Sequence, residues 1–189
     1  MKISILLPYK ENFSPDYPGA VSLFVYETTK NSNYKRNITI FGNTNFKNKF
    51  KLKYINIELK KDLFSSQTNK YVKKFINLEK ETNSQIIEVH NRPIYIQILK
   101  NAIKNKVFTL FFHNDPLSMD GSKTIHERKI LLKTCYKIIF NSAWSKKRFL
   151  EGLENKFVNS NKLLIFYQSA DKGNISCLLY TSPSPRDKR

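Results

Sequence analysis

Three short polar groups in this 189-residue chain have residue types and spacing suited to binding a ligand. His113-Asn114-Asp115-Pro116 follows the most apolar run of the sequence, Val107–Phe112, and His90-Asn91-Arg92-Pro93 follows a second, Ile86–Val89. Pro18-Gly19-Ala20 stands directly before a helix-like stretch. A helix beginning there leaves unpaired N–H groups at its start, and its dipole adds partial positive charge, so the chemistry it suits is phosphate binding. His113 reads as functional, because the Asn-Asp-Pro that follows makes a shaped loop. His90, taken singly, reads as a turn residue making a hydrogen bond. The third histidine, His126, falls inside a helical pattern and reads as surface. A fourth polar pair, Asn141-Ser142, follows the apolar run Lys137–Phe140. The chain contains neither GxGxxG nor a Walker A pattern, which argues against dinucleotide and P-loop chemistry. Its two cysteines, Cys135 and Cys177, make neither a disulfide framework nor a metal-ligand set, and they fit a reducing compartment.

The elements that must position these groups alternate. Strands are expected at Ile3–Leu7, Ile38–Phe41, Tyr54–Leu59, Ile86–Val89, Val107–Phe112, Lys137–Phe140 and Leu163–Tyr167, as short apolar runs bounded by turn residues. Helices are expected over Ala20–Lys30, Asp62 to about Glu81, a stretch opened by Pro93, Ile125–Cys135 and Ala143–Leu150. Pro93 suits a first helical turn. Thr124 and Glu127 have capping-box spacing, and Gly152 closes the last helix. This order predicts an α/β fold of the Rossmann-like, doubly wound class, with a mainly parallel sheet and helices on both faces. In such sheets ligands bind beyond the carboxyl ends of the strands, which is where the polar groups fall.

The chain carries 33 Lys+Arg against 15 Asp+Glu, a net charge of +18. Lysine is spread along the whole sequence rather than blocked, as a biased genome would give, and a membrane-facing basic surface is a secondary use. Nucleic acid is a disfavoured partner, because the aromatics that would stack bases, such as Phe108, Phe111 and Phe112, belong to apolar strands. The opening apolar run is too short for a signal peptide, and no run reaches membrane-spanning length. The expected location is cytoplasmic, with peripheral contact at the inner face of a membrane.

Composition changes abruptly at Cys177. The segment CLLYTSPSPRDKR lacks Asn and Ile, which are common elsewhere, and holds two of the seven prolines. Cys177 to Asp187 resembles the translation of a transposase adapter used in short-read library preparation. The expected organisation is therefore one native domain over 1–176, a non-native tail over 177–189, and a missing C-terminal domain. Removing the tail's three basic residues and one acidic residue lowers the net charge to +16.

MKISILLP, the Pro18-Gly19-Ala20 loop, IIEVHNRP, FTLFFHNDP and KIIFNSAWSKKRFLEGL, in that order, resemble the N-terminal domain of family 4 glycosyltransferases of the GT-B architecture. The likeness spans Met1 to about Asp171. Relatives close the last strand with Asn-Gly-Ile-Asp, whereas this chain has Gln168-Ser169-Ala170-Asp171 and keeps only the aspartate. The resemblance implies retaining transfer from a nucleotide-sugar donor to a glycan or lipid-linked acceptor, with no metal and no cofactor beyond the donor. It implies that a second domain carries the donor-binding cations. It places Gly19 and Ala20 at the donor diphosphate, and His113, Asn114 and Asp115 at the transferred sugar as catalytic residues. His90, Asn91 and Arg92 would line the acceptor side, with Ser142 and Lys146 on the next edge. Cell-envelope polysaccharide synthesis is the family's usual setting. Two other readings stand beside it. One is a stand-alone Rossmann-like binding or regulatory domain. The other is a nicotinamide enzyme, which the absent fingerprint disfavours.

Overall fold

The computed structural model describes residues 1–59, 66–157 and 160–168. Among these residues seven strands form one parallel sheet: β1 (Ile3–Leu6), β2 (Ile38–Gly42), β3 (Tyr54–Asn56), β4 (Ile86–His90), β5 (Val107–Phe112), β6 (Lys137–Phe140) and β7 (Leu163–Ile165). Five helices connect them: α1 (Ala20–Lys30), α2 (Gln67–Thr82), α3 (Pro93–Ala102), α4 (Ile125–Thr134) and α5 (Ala143–Leu150). The strand order is β3-β2-β1-β4-β5-β6-β7. The chain runs outward from β1 through β2 to β3, then returns to lay β4 against the other side of β1. The fold is thus α/β and Rossmann-like, with a topological switch between β1 and β4.

Strand residues alternate between two cores, as a period of two requires. One face carries Leu6, Phe41, Ile87, Val89, Leu110, Phe112, Ile138 and Phe140, packed under residues of α2, α3, α4 and α5 such as Phe75, Leu99, Leu131 and Phe149. The opposite face carries Ile5, Leu7, Ile38 and Ile40 under Val21 and Val25 of α1. Helices therefore cover both faces, unequally. The continuation of that second face across β4 and β5 begins with Ile86 and Val107 and then holds Glu88, His90, Thr109 and Phe111 toward the carboxyl ends of the strands.

The two edge strands are shorter than their sequence patterns. β3 ends at Asn56 rather than Leu59, and β7 at Ile165 rather than Tyr167. An edge strand has one partner only. β3 takes its register from β2 over three residues, and beyond Asn56 the backbone N–H of Ile57 still reaches Gly42 O at 2.7 Å. The expected helix start at Asp62, the closing Asp171 and the tail from Cys177 lie outside the described residues.

Helix ends follow local chemistry. Thr124 Oγ1 accepts from the Glu127 N–H at 3.1 Å while Glu127 Oε2 accepts from the Thr124 N–H at 2.9 Å, completing the capping box of α4. Pro93 opens α3. Gly121, with φ of +92°, lets the loop before α4 touch the start of α3, where a Cβ would stand 2.5 Å from Ile94 N. One buried carboxylate inside the core is purely structural. Glu79 of α2 accepts from the Ser84 N–H at 2.8 Å and from the hydroxyls of Ser4 and Ser84, so its charge is hydrogen-bonded on both oxygens.

Candidate active site

At the carboxyl ends of β1, β4 and β5 lies an open cavity of about 320 Å³, lined by residues of the loops after those strands and by the start of α1. It sits at the switch point, where open α/β sheets bind ligands. Pro8, Glu11, Ala20 and Val21 line it from the β1 loop and α1; Asn91, Arg92, His113 and Asn114 line it from the loops after β4 and β5, with Gln168 beside His113.

His113 is held from three directions. Asn91 Oδ1 accepts from its backbone N–H at 3.0 Å, and Asn141 Nδ2 donates to its carbonyl at 2.7 Å. Asn91 manages this in a left-handed conformation, φ 54°, which asparagine tolerates better than most residues. The imidazole stacks on Phe111 at 4.6 Å between centroids and meets the edge of Phe24 of α1 at 5.0 Å. Burial among these rings, followed by the neighbouring His90, lowers the His113 pKa to about 3. The ring is therefore neutral throughout the physiological range.

His90 is a fully buried strand residue, and this corrects its reading as a turn residue. Its Nδ1 lies 2.9 Å from His113 Nε2 and its Nε2 lies 2.7 Å from Glu88 Oε1. It stands behind His113, and it does not line the cavity. Gln168 Nε2 lies 2.7 Å from the remaining His113 nitrogen, Nδ1.

The start of α1 is occupied by an internal anion. Glu11 Oε1 accepts from the N–H groups of Val21 and Ser22, each at 3.1 Å. Gly19 makes this arrangement sterically allowed, since a Cβ there would lie 2.0 Å from the same oxygen. The helix terminus thus has the anion affinity expected of it, and Glu11 uses it. Nothing local in the sequence couples Glu11 to Gly19; the one available signal is an acidic residue in the loop between a first strand and a helix that lacks a capping side chain.

Other expected site residues are placed elsewhere. Asp115 turns away from the cavity, accepts from the Leu117 N–H at 3.0 Å and pairs with Arg148 of α5 at 3.1 Å. Burial pushes its carboxyl up, but the Arg148 guanidinium and the Leu117 N–H outweigh that and hold it below the usual range. Ser142 caps α5 by accepting from the Ser145 N–H, and Lys146 donates to Leu163 O at 3.2 Å; neither lines the cavity. His126 is exposed on α4. Among the described residues no group of His, Cys, Asp and Glu could hold a metal ion. Cys135 is buried, with its thiol pushed up to about 12 by desolvation, which makes it inert as a nucleophile.

No protein-family model matches the chain, and no curated protein does. Solved structures do. Three crystal structures of Anabaena Alr3699/HepE, in complex with UDP-glucose, with UDP and glucose, and with UDP, superpose on this chain with TM-scores of 0.60, 0.59 and 0.58 at 14%, 15% and 16% identity. Each match covers 90% of this chain and 45% of HepE, so the chain spans less than half the length of these neighbours. At that identity the likeness is one of fold. The chain has the Rossmann-like architecture of one part of a protein crystallised with a nucleotide sugar.

Proposed function

We propose that this chain is the acceptor-side half of a GT-B, family 4-type glycosyltransferase. The whole enzyme would move a hexosyl unit, with retention, from a nucleotide-sugar donor to a glycan or lipid-linked acceptor of the cell envelope. The observation that carries this reading is the cavity at the switch point. It brings His113, Asn91, Arg92, Asn114 and the start of α1 together, in a fold shared with a protein that binds UDP-glucose. The native domain ends near residue 176, and a donor-binding domain follows it in the intact protein. The working place is the cytoplasmic face of an anionic membrane, touched peripherally.

Breaking a sugar–phosphate bond places positive charge on the sugar and negative charge on the leaving diphosphate. A neutral His113 meets the first demand as a hydrogen-bond partner for a sugar hydroxyl, without adding positive charge beside the developing cation. The N–H groups of Val21 and Ser22 suit the second, once the diphosphate replaces the Glu11 carboxylate on them. The remaining neutralisation falls to cations of the second domain. No residue of this half is asked to hold a metal. On this reading residues 1–176 alone do not turn over.

The test is to recover the uninterrupted source gene across the codon for Ser176, express the full protein and assay release of nucleoside diphosphate from a panel of nucleotide sugars. The expected frame continues into a second domain of roughly 150–200 residues, and His113→Ala lowers kcat/KM by about 100-fold. A native stop codon directly after Ser176, or turnover by residues 1–176 alone, overturns the reading. The native stop would leave a stand-alone binding domain.

A further inference from the structure

Behind the cavity runs a continuous hydrogen-bonded line of side chains: Glu88 Oε1 to His90 Nε2 at 2.7 Å, His90 Nδ1 to His113 Nε2 at 2.9 Å, and His113 Nδ1 to Gln168 Nε2 at 2.7 Å. Glu88 and His90 are two residues apart on β4 and so project to the same face of the sheet. His90 is fully buried, and the Glu88 side chain is 27% exposed at the far end. Phe111 stacks against both imidazoles, at 5.4 Å from His90 and 4.6 Å from His113, and holds the two rings nearly parallel to its own plane.

The direction of every proton in this line follows from its two ends. An ionised carboxylate only accepts, so His90 carries its proton on Nε2. A neutral imidazole with Nε2–H has a lone pair on Nδ1, so His113 must donate to it from Nε2. His113 Nδ1 is then left as a lone pair, and the Gln168 amide donates to it. With His90 neutral, each contact then has one donor and one acceptor. The converse arrangement needs His113 protonated on Nδ1 and accepting on Nε2. His90 would then be protonated on both nitrogens, as a buried cation.

We infer that Glu88 and His90 are positioning residues that fix the His113 tautomer, so that its unprotonated Nδ1 faces the cavity and accepts a hydrogen bond from a hydroxyl of the ligand in place of Gln168. The inference deepens the transferase reading and rests on it for the identity of that hydroxyl as a sugar's. The tautomer itself is a property of this chain alone. The depressed His113 pKa agrees with a ring kept neutral. The charged groups that share the cavity with His113 are Glu11 from the loop after β1 and Arg92 from the loop after β4. The side chain of Arg92 donates to Asn91 O at 2.8 Å, so it is turned toward its own backbone.

Long-range proton–nitrogen correlation spectra of the chain, labelled with nitrogen-15, read the tautomer of each histidine directly. The expected result at pH 7 is His113 and His90 both protonated on Nε2 and unprotonated on Nδ1. Replacing Glu88→Gln removes the obligatory acceptor, because an amide can turn either its oxygen or its nitrogen to His90. The single tautomer of His113 should then become a mixture, while the remaining spectrum stays that of a folded chain. His90→Phe keeps a ring beside Phe111 and removes both nitrogens, and should likewise release the His113 tautomer. Finding His113 protonated on Nδ1 in the unaltered chain, or a tautomer unchanged in both variants, overturns the inference. In the full enzyme Glu88→Gln should lower kcat about tenfold, the size of a weakened single hydrogen bond in the transition state, with KM little changed. Correct tautomers without any transferase activity would sink the transferase reading and leave the positioning pair standing.

Discussion

At the residue scale, His113 and Asp115 show how two neighbours in one motif divide their work. Both follow β5, yet the imidazole turns into the cavity while the carboxylate turns outward to Arg148 and caps its own loop. The pair holds the loop that carries His113, so Asp115 acts on the site through the backbone. The depressed pKa of His113 makes a prediction about pH. In the unfolded chain the ring has its ordinary value near 6.5, and in the fold about 3. Between those values the unfolded state binds more protons, so stability rises with pH across the window and is lost as pH falls from about 6.5 toward about 3. His113→Leu removes that contribution. Between pH 7 and pH 4 the urea midpoint of the parent should fall relative to that of the variant, because only the parent has this histidine to protonate. A gap that stays constant would mean that His113 titrates normally in the fold.

At the element scale, α1 depends on a contact that no helix propensity describes. It has no capping side chain of its own, and Glu11 from ten residues upstream supplies the carboxylate. Loss of such a cap costs about 0.5–2 kcal/mol. Glu11→Ala should destabilise the chain by that amount in urea unfolding. Gly19→Ala should do much the same, because its Cβ would displace the same oxygen. The double variant should then be little worse than either single one, a coupling characteristic of residues in contact. Additive losses would mean that Gly19 matters for its backbone and not for Glu11. The same pair explains what the sequence could reveal of the site. Strands β1 and β2 were legible as apolar runs because the sheet buries them on both sides, β4, β5 and β6 because one full face of each is core, and α4 because Thr124 and Glu127 carry its cap locally. Glu11 and Glu88 were not legible. A lone acidic residue in a loop or on alternate strand positions reads as solvated surface, and only the three-dimensional register sets Glu88 behind His90 and Glu11 over Val21. Gly19 was found by its place before a helix, but the group it admits, the Glu11 carboxylate, is not encoded by its sequence neighbours.

At the scale of the whole molecule, the two ends of the sheet differ in chemistry. The carboxyl ends of the strands hold the cavity with its histidines. At the opposite end, where Lys35 and Arg36 lead into β2 and Lys53 leads into β3, these residues join Lys30 and Lys51 around a second open cavity of about 420 Å³, floored by Tyr26 and Leu52. No helix among the described residues is long and apolar enough to cross a membrane; the charge of these five residues suits electrostatic contact with an anionic surface. Each basic side chain near an anionic lipid surface adds about 1 kcal/mol, within a screening distance of about 8 Å at physiological salt. Five together are enough for measurable binding without insertion. The chain should sediment with phosphatidylglycerol-rich vesicles and not with phosphatidylcholine vesicles, and high salt should release it. Charge reversal at Lys35→Glu, Lys51→Glu and Lys53→Glu should abolish that sedimentation while leaving the His113 tautomer untouched, since the groove and the cavity lie at opposite ends of the sheet. If the reversed variant sediments like the parent, the net charge spread over the surface drives the contact, and the groove has no special part in it.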